Sequence, residues 1–268
     1  MSNIEVLPES KFKQNSNSLW PNKYLIEFEP HNPLQNNLLA ALPNNELNKL
    51  IPYLELVEMP LGKVLSESGE RLQYAYFPTT CILSLHYVLA EGTSSEITAV
   101  GNEGMLGVSL YMGGETTPSR ATVRSAGYGY RLKAQLLKIE FSLGGPFMHL
   151  LLRYSQALMT QVTQTAICNK HHTIEQQLCR CLLVSLDRLQ GDSLAMTQEL
   201  ISSILGVRRE SITAVAGKLQ RVGLIRYYRG HIEVLDRLRL EKFACECYLV
   251  VKQECDRLLT NLPKKLYI

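Results

Sequence analysis

The sequence predicts an α+β fold in three parts: a β-roll towards the N-terminus, one long helix, and a winged helix-turn-helix towards the C-terminus. Three observations carry this. Short β-prone runs punctuated by turn residues fill positions 55 to 132. Apolar residues then recur at helical spacing from Leu136 to about Lys170. Lastly, two short amphipathic helices joined through Gly206 precede two strand-like pieces, Leu224 to Tyr228 and Ile232 to Leu235.

The bulk numbers bound the answer. A length of 268 residues favours two domains over one. With 46% apolar and 20% charged residues, the composition is that of a folded globular chain and not of a disordered or fibrous one. A net charge of +3 excludes a polycation, so any surface for an anionic partner has to be local. No apolar run approaches the ~20 residues that span a bilayer. The segment from Met1 to Asn17 has no apolar stretch of a secretory signal. No membrane is therefore expected, and the chain is expected in the cytoplasm. The seven cysteines, Cys81, Cys168, Cys179, Cys181, Cys245, Cys247 and Cys255, fit that compartment. Their odd number and lack of a CxxC pair argue against a disulfide framework and against a zinc ribbon.

Residues 1–30, rich in Asn, Ser, Lys and Pro, are expected to form a flexible leader, the alternative being an arm that docks on the body. Residues 31–140 are expected to form the β-roll domain. It opens with short helices, Leu38, Leu39 and Leu42 sharing a face before Pro43, and Leu47, Leu50 and Ile51 restarting the pattern. The strand-like runs follow: 56–59, 74–77, 81–89, 96–100, 121–126 and 128–132. Such spacing suggests an antiparallel sandwich or barrel with its own core.

Residues 141–175 are expected to form a dimerisation helix. Phe147, Leu151, Tyr154, Leu158, Val162 and Thr165 step by three or four, a narrow seam of the kind two helices share. The alternative is a helix packed on its own β-domain. Helix is expected to continue from His171 to Arg188, with a break at Gln190–Ser193. Residues 176–240 are the expected helix-turn-helix domain and 241–268 a C-terminal helix. That last helix has Phe243, Cys247, Val250, Val251 and Leu258 available either to pack on the preceding domain or to extend a dimer surface.

The stretch from Thr197 to Leu235 carries the chemistry. Thr197-Gln198-Glu199 opens a helix whose inner face is Leu200, Ile201, Ile204 and Leu205. Gly206 supplies a tight turn. A second helix, from Arg208 to Val222, turns Ile212, Val215, Ala216 and Leu219 inward. Its outer face is Arg208, Arg209, Glu210, Ser211, Thr213, Ala214 and Lys218, and the small and polar residues there leave room for base edges. Arg229-Gly230-His231 forms the tip of a hairpin wing. Between Gly206 and His231 lie six Lys or Arg residues against one acid, a local excess of five that exceeds the net charge of the whole chain. Positive charge is concentrated where a duplex would sit. The expected DNA-facing set is Thr197, Gln198, Arg208, Arg209, Glu210, Ser211, Thr213, Lys218, Arg229 and His231.

With these residues in place, the chain from about 34 to 240 strongly resembles the Crp/Fnr superfamily, the regulators named for the cyclic-AMP receptor protein. Leu205-Gly206-Val207-Arg208-Arg209-Glu210-Ser211-Ile212 is similar to its recognition-helix signature. The resemblance implies that Arg209 and Glu210 read bases, the Arg forking onto guanine and the carboxylate accepting from cytosine. It implies that Thr197 anchors a phosphate and that Ser211 lies within reach of phosphate or base. It further implies a homodimer on a two-fold symmetric operator in double-stranded DNA, with RNA polymerase as a candidate protein partner. Two departures stand out. Arg208 occupies the place of a small capping residue, and Ala214 the place of a further basic base-reader.

In the cyclic-nucleotide binders of this family, the β-roll holds a Gly-Glu-Leu segment and then an Arg-Ser pair. The frame here is Gly104-Met105-Leu106-Gly107 and Ser119-Arg120. Met105 stands where the ribose-binding Glu belongs and cannot match it as an acceptor. Arg120 is displaced by one position, and alternate strand residues face opposite ways, so it is expected to face away from the pocket unless a bulge intervenes. An unknown effector, or none, is therefore expected in preference to a cyclic nucleotide. No cofactor is expected. The absence of cysteine before Cys81 rules out the iron–sulfur branch, and His86, the one histidine of the strand-bearing stretch 55 to 132, reads as structural. Cys168 and His172 lie four apart on a helix and are a candidate metal pair, although no metal is expected; Cys179 and Cys181 read as core. No nucleophile–base pair or phosphate loop stands out, so no enzyme is expected. The competing reading is a ligand-binding signalling module whose helical end meets a protein instead of DNA.

Overall fold

A computed structural model describes residues 31–260 except 89, 91–93 and 190; the expected leader (1–30) and residues 261–268 lie outside the described residues, as does the side chain of residue 260. The β-roll is built from two antiparallel sheets. Strands β1 (Glu55–Met59), β2 (Val64–Ser66), β3 (Tyr74–Pro78), β4 (Ile82–Val88), β5 (Ser94–Val100), β6 (Arg120–Ser125) and β7 (Gly127–Lys133) sort into the orders β1-β7-β3 and β2-β6-β4-β5. Alternation decides which faces are buried. In β3, Ala75 and Phe77 are fully buried, while Tyr74 on the other face lies under the Arg131 guanidinium at 4.2 Å. β1 and β3 to β7 match the expected runs; β2 was not expected, being too short for its alternation to be read.

Short helices α1 (Asn37–Ala40) and α2 (Asn44–Leu50) close one end of the roll, and α3 (Val108–Tyr111) and α4 (Ala134–Ser142) flank it. Leu38, Leu39, Leu47 and Leu50 join Phe77, Met105, Leu132 and Leu137 in one core. The long helix α5 (Pro146–His171) supplies Phe147, Leu150, Leu151, Tyr154 and Ala157 to that same core. This corrects the expected dimer seam in part, since Leu158, Val162 and Thr165 stay half-buried. Phe147, Leu151 and Tyr154 are spent on the chain's own β-roll, and the large apolar side chains of α5 left exposed are Leu152, Met159 and Ile167.

Two breaks divide what the sequence reads as continuous helix. The first follows α4, where Gly144 takes a φ of 74° and Pro146 opens α5. The second is at His172 and Thr173. The Thr173 side chain accepts from the Gln176 amide and Gln176 returns a bond to Thr173, a capping box that starts α6 (Ile174–Leu186) afresh.

The C-terminal lobe packs α6, α7 (Gln198–Leu205), α8 (Arg209–Arg221) and α9 (Arg237–Phe243) against a small sheet. That sheet has the order β8-β10-β9, from β8 (Ser193–Ala195), β9 (Ile225–Tyr228) and β10 (His231–Val234). Leu178, Leu182, Ile201, Ile212, Leu219 and Ile232 form its core, all fully buried. Helix α10 (Cys247–Cys255) follows α9. It packs along α5. Tyr248 enters the core of the C-terminal lobe, while Leu258 and Leu259 enter that of the roll.

Buried polar bonds join the roll to the C-terminal lobe. Arg124 on β6 donates to Glu96 Oε1 at 2.8 Å and to Ser185 Oγ on α6 at 2.7 Å. Arg188, just beyond α6, meets Glu103 Oε1 at 2.7 Å and donates to Gln161 Oε1 on α5 at 3.1 Å. Beside these ties, α7 packs against β5. Among the described residues, no helix is long and apolar enough to cross a membrane.

Candidate nucleic-acid interface

Helix α7 begins at Thr197, whose side chain accepts from the Leu200 amide at 3.1 Å and so satisfies one of the free donors of the first turn. It ends at Gly206 in the left-handed conformation, φ 64°, which a side chain would strain; this turn swings α8 away from α7. Arg208 sits at the N-cap of α8 and makes no side-chain cap bond there, as its departure from a small capping residue implies. Ile212, Ala216 and Leu219 are buried against α6 and α7. The opposite face is open: Arg208, Arg209, Glu210 and Thr213 are exposed and Ser211 is half-buried.

The wing completes the surface. Arg229 (φ 46°) and Gly230 (φ 80°) both take positive φ, the two-residue turn whose twist suits a hairpin. The tip folds back on the entrance of α7, so that a Cβ at Gly230 would lie 3.3 Å from Thr197 Cγ2. Thr197, Gln198, Arg209, Tyr227 and Arg229 thus line one open cleft between α7, α8 and the wing. His231 is exposed at the start of β10, within 6.2 Å of the Tyr228 ring.

The expected residues do not all stand free. Thr213 donates to Gln198 Oε1 at 2.7 Å, which ties α8 to the start of α7. Lys218 is bound by Glu175 of α6, and Arg226 by Glu233 across the wing. Among the described residues Arg208, Arg209 and Arg229 form no ion pair. Tyr227 is an addition to the expected set. It enters the cleft because its backbone amide is held by Gln220 Oε1 at 2.8 Å, and only its place on an exposed hairpin could have signalled it.

Residues 176–243 match the Crp-like helix-turn-helix domain family. The chain carries a Crp-like helix-turn-helix domain. Its fold is that of Crp/Fnr-family regulators, as the Leu205–Ile212 motif implied. A Crp-family transcriptional regulator of Thermus thermophilus is 19% identical, with a TM-score of 0.59 over 70% of this chain and 96% of that one. FixK2 of Bradyrhizobium japonicum is 14% identical, with a TM-score of 0.60 over 72% of this chain and 98% of that one. The c-di-GMP-responsive global regulator CLP of Xanthomonas campestris is 14% identical, with a TM-score of 0.58 over 72% of this chain and 100% of that one. No curated protein matches the sequence significantly.

The chain has a cavity of about 410 Å³ in its roll, and the expected effector residues divide around it. Met105, Leu106, Gly107 and Ser119 line it, together with Leu85, Tyr87 and Leu158. Gly104 and Arg120 do not. Gly104 is pressed against the Tyr154 ring, and Arg120 turns outward to Glu67 at 3.1 Å, as strand alternation requires. Among the described residues, no Lys, Arg, Asp or Glu lines the cavity. A cyclic phosphate entering it would lose its water and meet no counter-charge. The residues do not fit a cyclic nucleotide. His86, bonded to Ser84 at 3.3 Å within β4, sits as a structural residue. Its imidazole pKa is lowered by burial.

Proposed function

We propose that this chain is a sequence-specific DNA-binding transcription regulator that acts as a homodimer on a two-fold symmetric operator. The observation that carries this reading is the open face of α8. Arg208 and Arg209 stand there without acidic partners among the described residues, and Arg229 on the wing lines the same cleft as Arg209. An α-helix fits the major groove, and its N-terminal residues are the ones that reach base edges. Arg209 and Glu210 lie in that first turn. A helix that docked on protein would have little use for such an excess of unpaired cations.

The dimer contact proposed here differs from the seam read in the sequence. Leu152 and Met159 are 48% and 67% exposed and fall one heptad apart on α5, with Ala166 a further heptad on and Ile167 beside it. A second copy packed along this stripe would set the two α8 helices about one turn of DNA apart. The effector that fits the roll cavity is a neutral, largely apolar molecule. It would act on α7 through the buried bonds of Arg124 and Arg188. RNA polymerase is the further partner such a role brings in, and the cytoplasm its setting.

The test is selection from a random pool of duplexes with purified protein at near-physiological salt. Recovery of an inverted repeat, bound by a dimer in sedimentation, supports the reading. If no sequence is enriched, with or without a cell extract as source of effector, the DNA-binding reading fails.

A further inference from the structure

Four side chains able to bind a metal meet where α5 ends. Cys168 lies in the last turn of α5 and His172 caps that helix, while Cys245 precedes and Cys247 opens α10, on either side of Glu246. Their donor atoms all lie within 4.8 Å of one another. The Sγ atoms of Cys168 and Cys245 are 3.5 Å apart, and Cys247 Sγ lies 3.6 Å from His172 Nδ1. A tetrahedral zinc with Zn–S of about 2.3 Å and Zn–N of about 2.0 Å places neighbouring sulfurs about 3.8 Å apart, and sulfur and nitrogen about 3.5 Å apart. Both separations here are within a few tenths of an ångström of those values. We propose that Cys168, His172, Cys245 and Cys247 bind one zinc ion, as three thiolates and one neutral imidazole.

The surroundings are built as such a site needs. The three cysteines are buried and form a cluster of their own. Three small thiols facing one another fill a core poorly but suit an ion. His172 turns Nδ1 towards the sulfurs, and its Nε2 lies 3.3 Å from Glu246 Oε1, the carboxylate that orients a metal-bound imidazole from behind. The Gln177 amide donates to the carbonyl of His172 at 2.9 Å and fixes the turn that carries it. Loading releases the three thiol protons to solvent.

Other chemistries fit less well. Donors this close leave room for one ion and not for a polynuclear cluster. A Cys168–Cys245 disulfide would need the sulfurs to close to about 2.05 Å and would leave Cys247 and His172 without a role. Four protein donors leave no open position, so the ion is structural and not catalytic. Its place gives it a consequence. It would clamp the C-terminal segment to the α5–α6 joint, the point about which the helix-turn-helix domain is set relative to the long helix.

The test uses the full chain, purified without chelator under reducing conditions from cells grown with zinc. Elemental analysis should find about one zinc per chain. Cys245→Ser and His172→Ala should lose it, and Cys81→Ser, which alters a thiol of the roll core, should keep it. Because a variant can fail to fold, the wild-type protein stripped with chelator is also titrated with Co²⁺. Saturation at one equivalent, with the intense visible bands of a tetrahedral ion and thiolate-to-cobalt charge transfer, supports the site. The proposal is overturned by metal at background with no cobalt bands, by zinc retained equally in both site variants, or by a native Cys168–Cys245 disulfide found by mass spectrometry.

Discussion

Arg124 on β6 reaches Ser185 on α6 with one guanidinium nitrogen while its other holds Glu96, so a single buried side chain spans the roll and the DNA-binding lobe. Its side chain is 5% exposed and that of Glu96 11%, so neither charge has much access to water. Arg124→Met should therefore leave an uncompensated buried carboxylate and cost roughly 3 kcal/mol or more. Ser185→Ala removes one bond to a charged group and should cost about 1–2 kcal/mol. Urea denaturation of the two variants measures both. Equal and small losses would mean that water, not Arg124, is what satisfies Glu96.

Gly104 and Tyr154 make a second, steric link between roll and long helix. A Cβ on Gly104 would lie 2.4 Å from the Tyr154 ring, and the Tyr154 hydroxyl donates to Met105 O at 2.8 Å. Gly104→Ala should destabilise by about 1–3 kcal/mol through overpacking. Tyr154→Ala adds its own cavity cost but removes the clash, so in the double variant the Gly104→Ala penalty should largely vanish. A thermal double-mutant cycle reads this as a coupling energy. Simple additivity would place the clash elsewhere.

These contacts mark the boundary of what the sequence made legible. The strands and both helices of the DNA-binding motif follow a period of two or of 3.6, and Ile212, Ala216 and Leu219 are buried as that period requires. The α5 seam shows why period alone is not enough. Phe147, Leu151 and Tyr154 have the right spacing for a partner helix, but the roll beside them buries the same stripe first. The break at Thr173 was written in a Thr-x-x-Gln box that an unbroken apolar pattern overrode. The cysteine cluster had half its signal in Cys168 and His172. Its other half lies more than 70 residues away, and only the path of α10 along α5 brings Cys245 and Cys247 back.

On DNA the open cations should separate by role. Arg209→Ala should cost about 1–3 kcal/mol on the selected operator and relax one base position, with little change on random duplex. Arg229→Ala on the wing should weaken all sequences alike and lower the salt slope by about 1. Lys218→Ala should change the slope less than Arg229→Ala, because Glu175 already holds that ammonium. Binding isotherms over a range of salt, on operator and on random duplex, supply all three comparisons. If Arg209→Ala and Arg229→Ala lose affinity equally on both duplexes, α8 touches only the phosphate backbone.

Cysteine reactivity should follow burial and not exposure to reagent alone. Burial pushes Cys81 and Cys179 up to about 12, far from the cysteines of the α5 end in role though not in kind. A raised pKa means the protonated thiol is favoured in the fold. At pH 8 a thiol of pKa near 12 is ionised only to about one part in ten thousand, and the thiolate is the species that alkylates. Native protein at pH 8 should therefore leave Cys81 and Cys179 unlabelled by iodoacetamide for hours, and denaturant should make both react at once. Peptide mapping after timed alkylation distinguishes them from the rest. Rapid labelling of Cys81 in the native state would mean that the roll opens locally, exposing β4 without global unfolding.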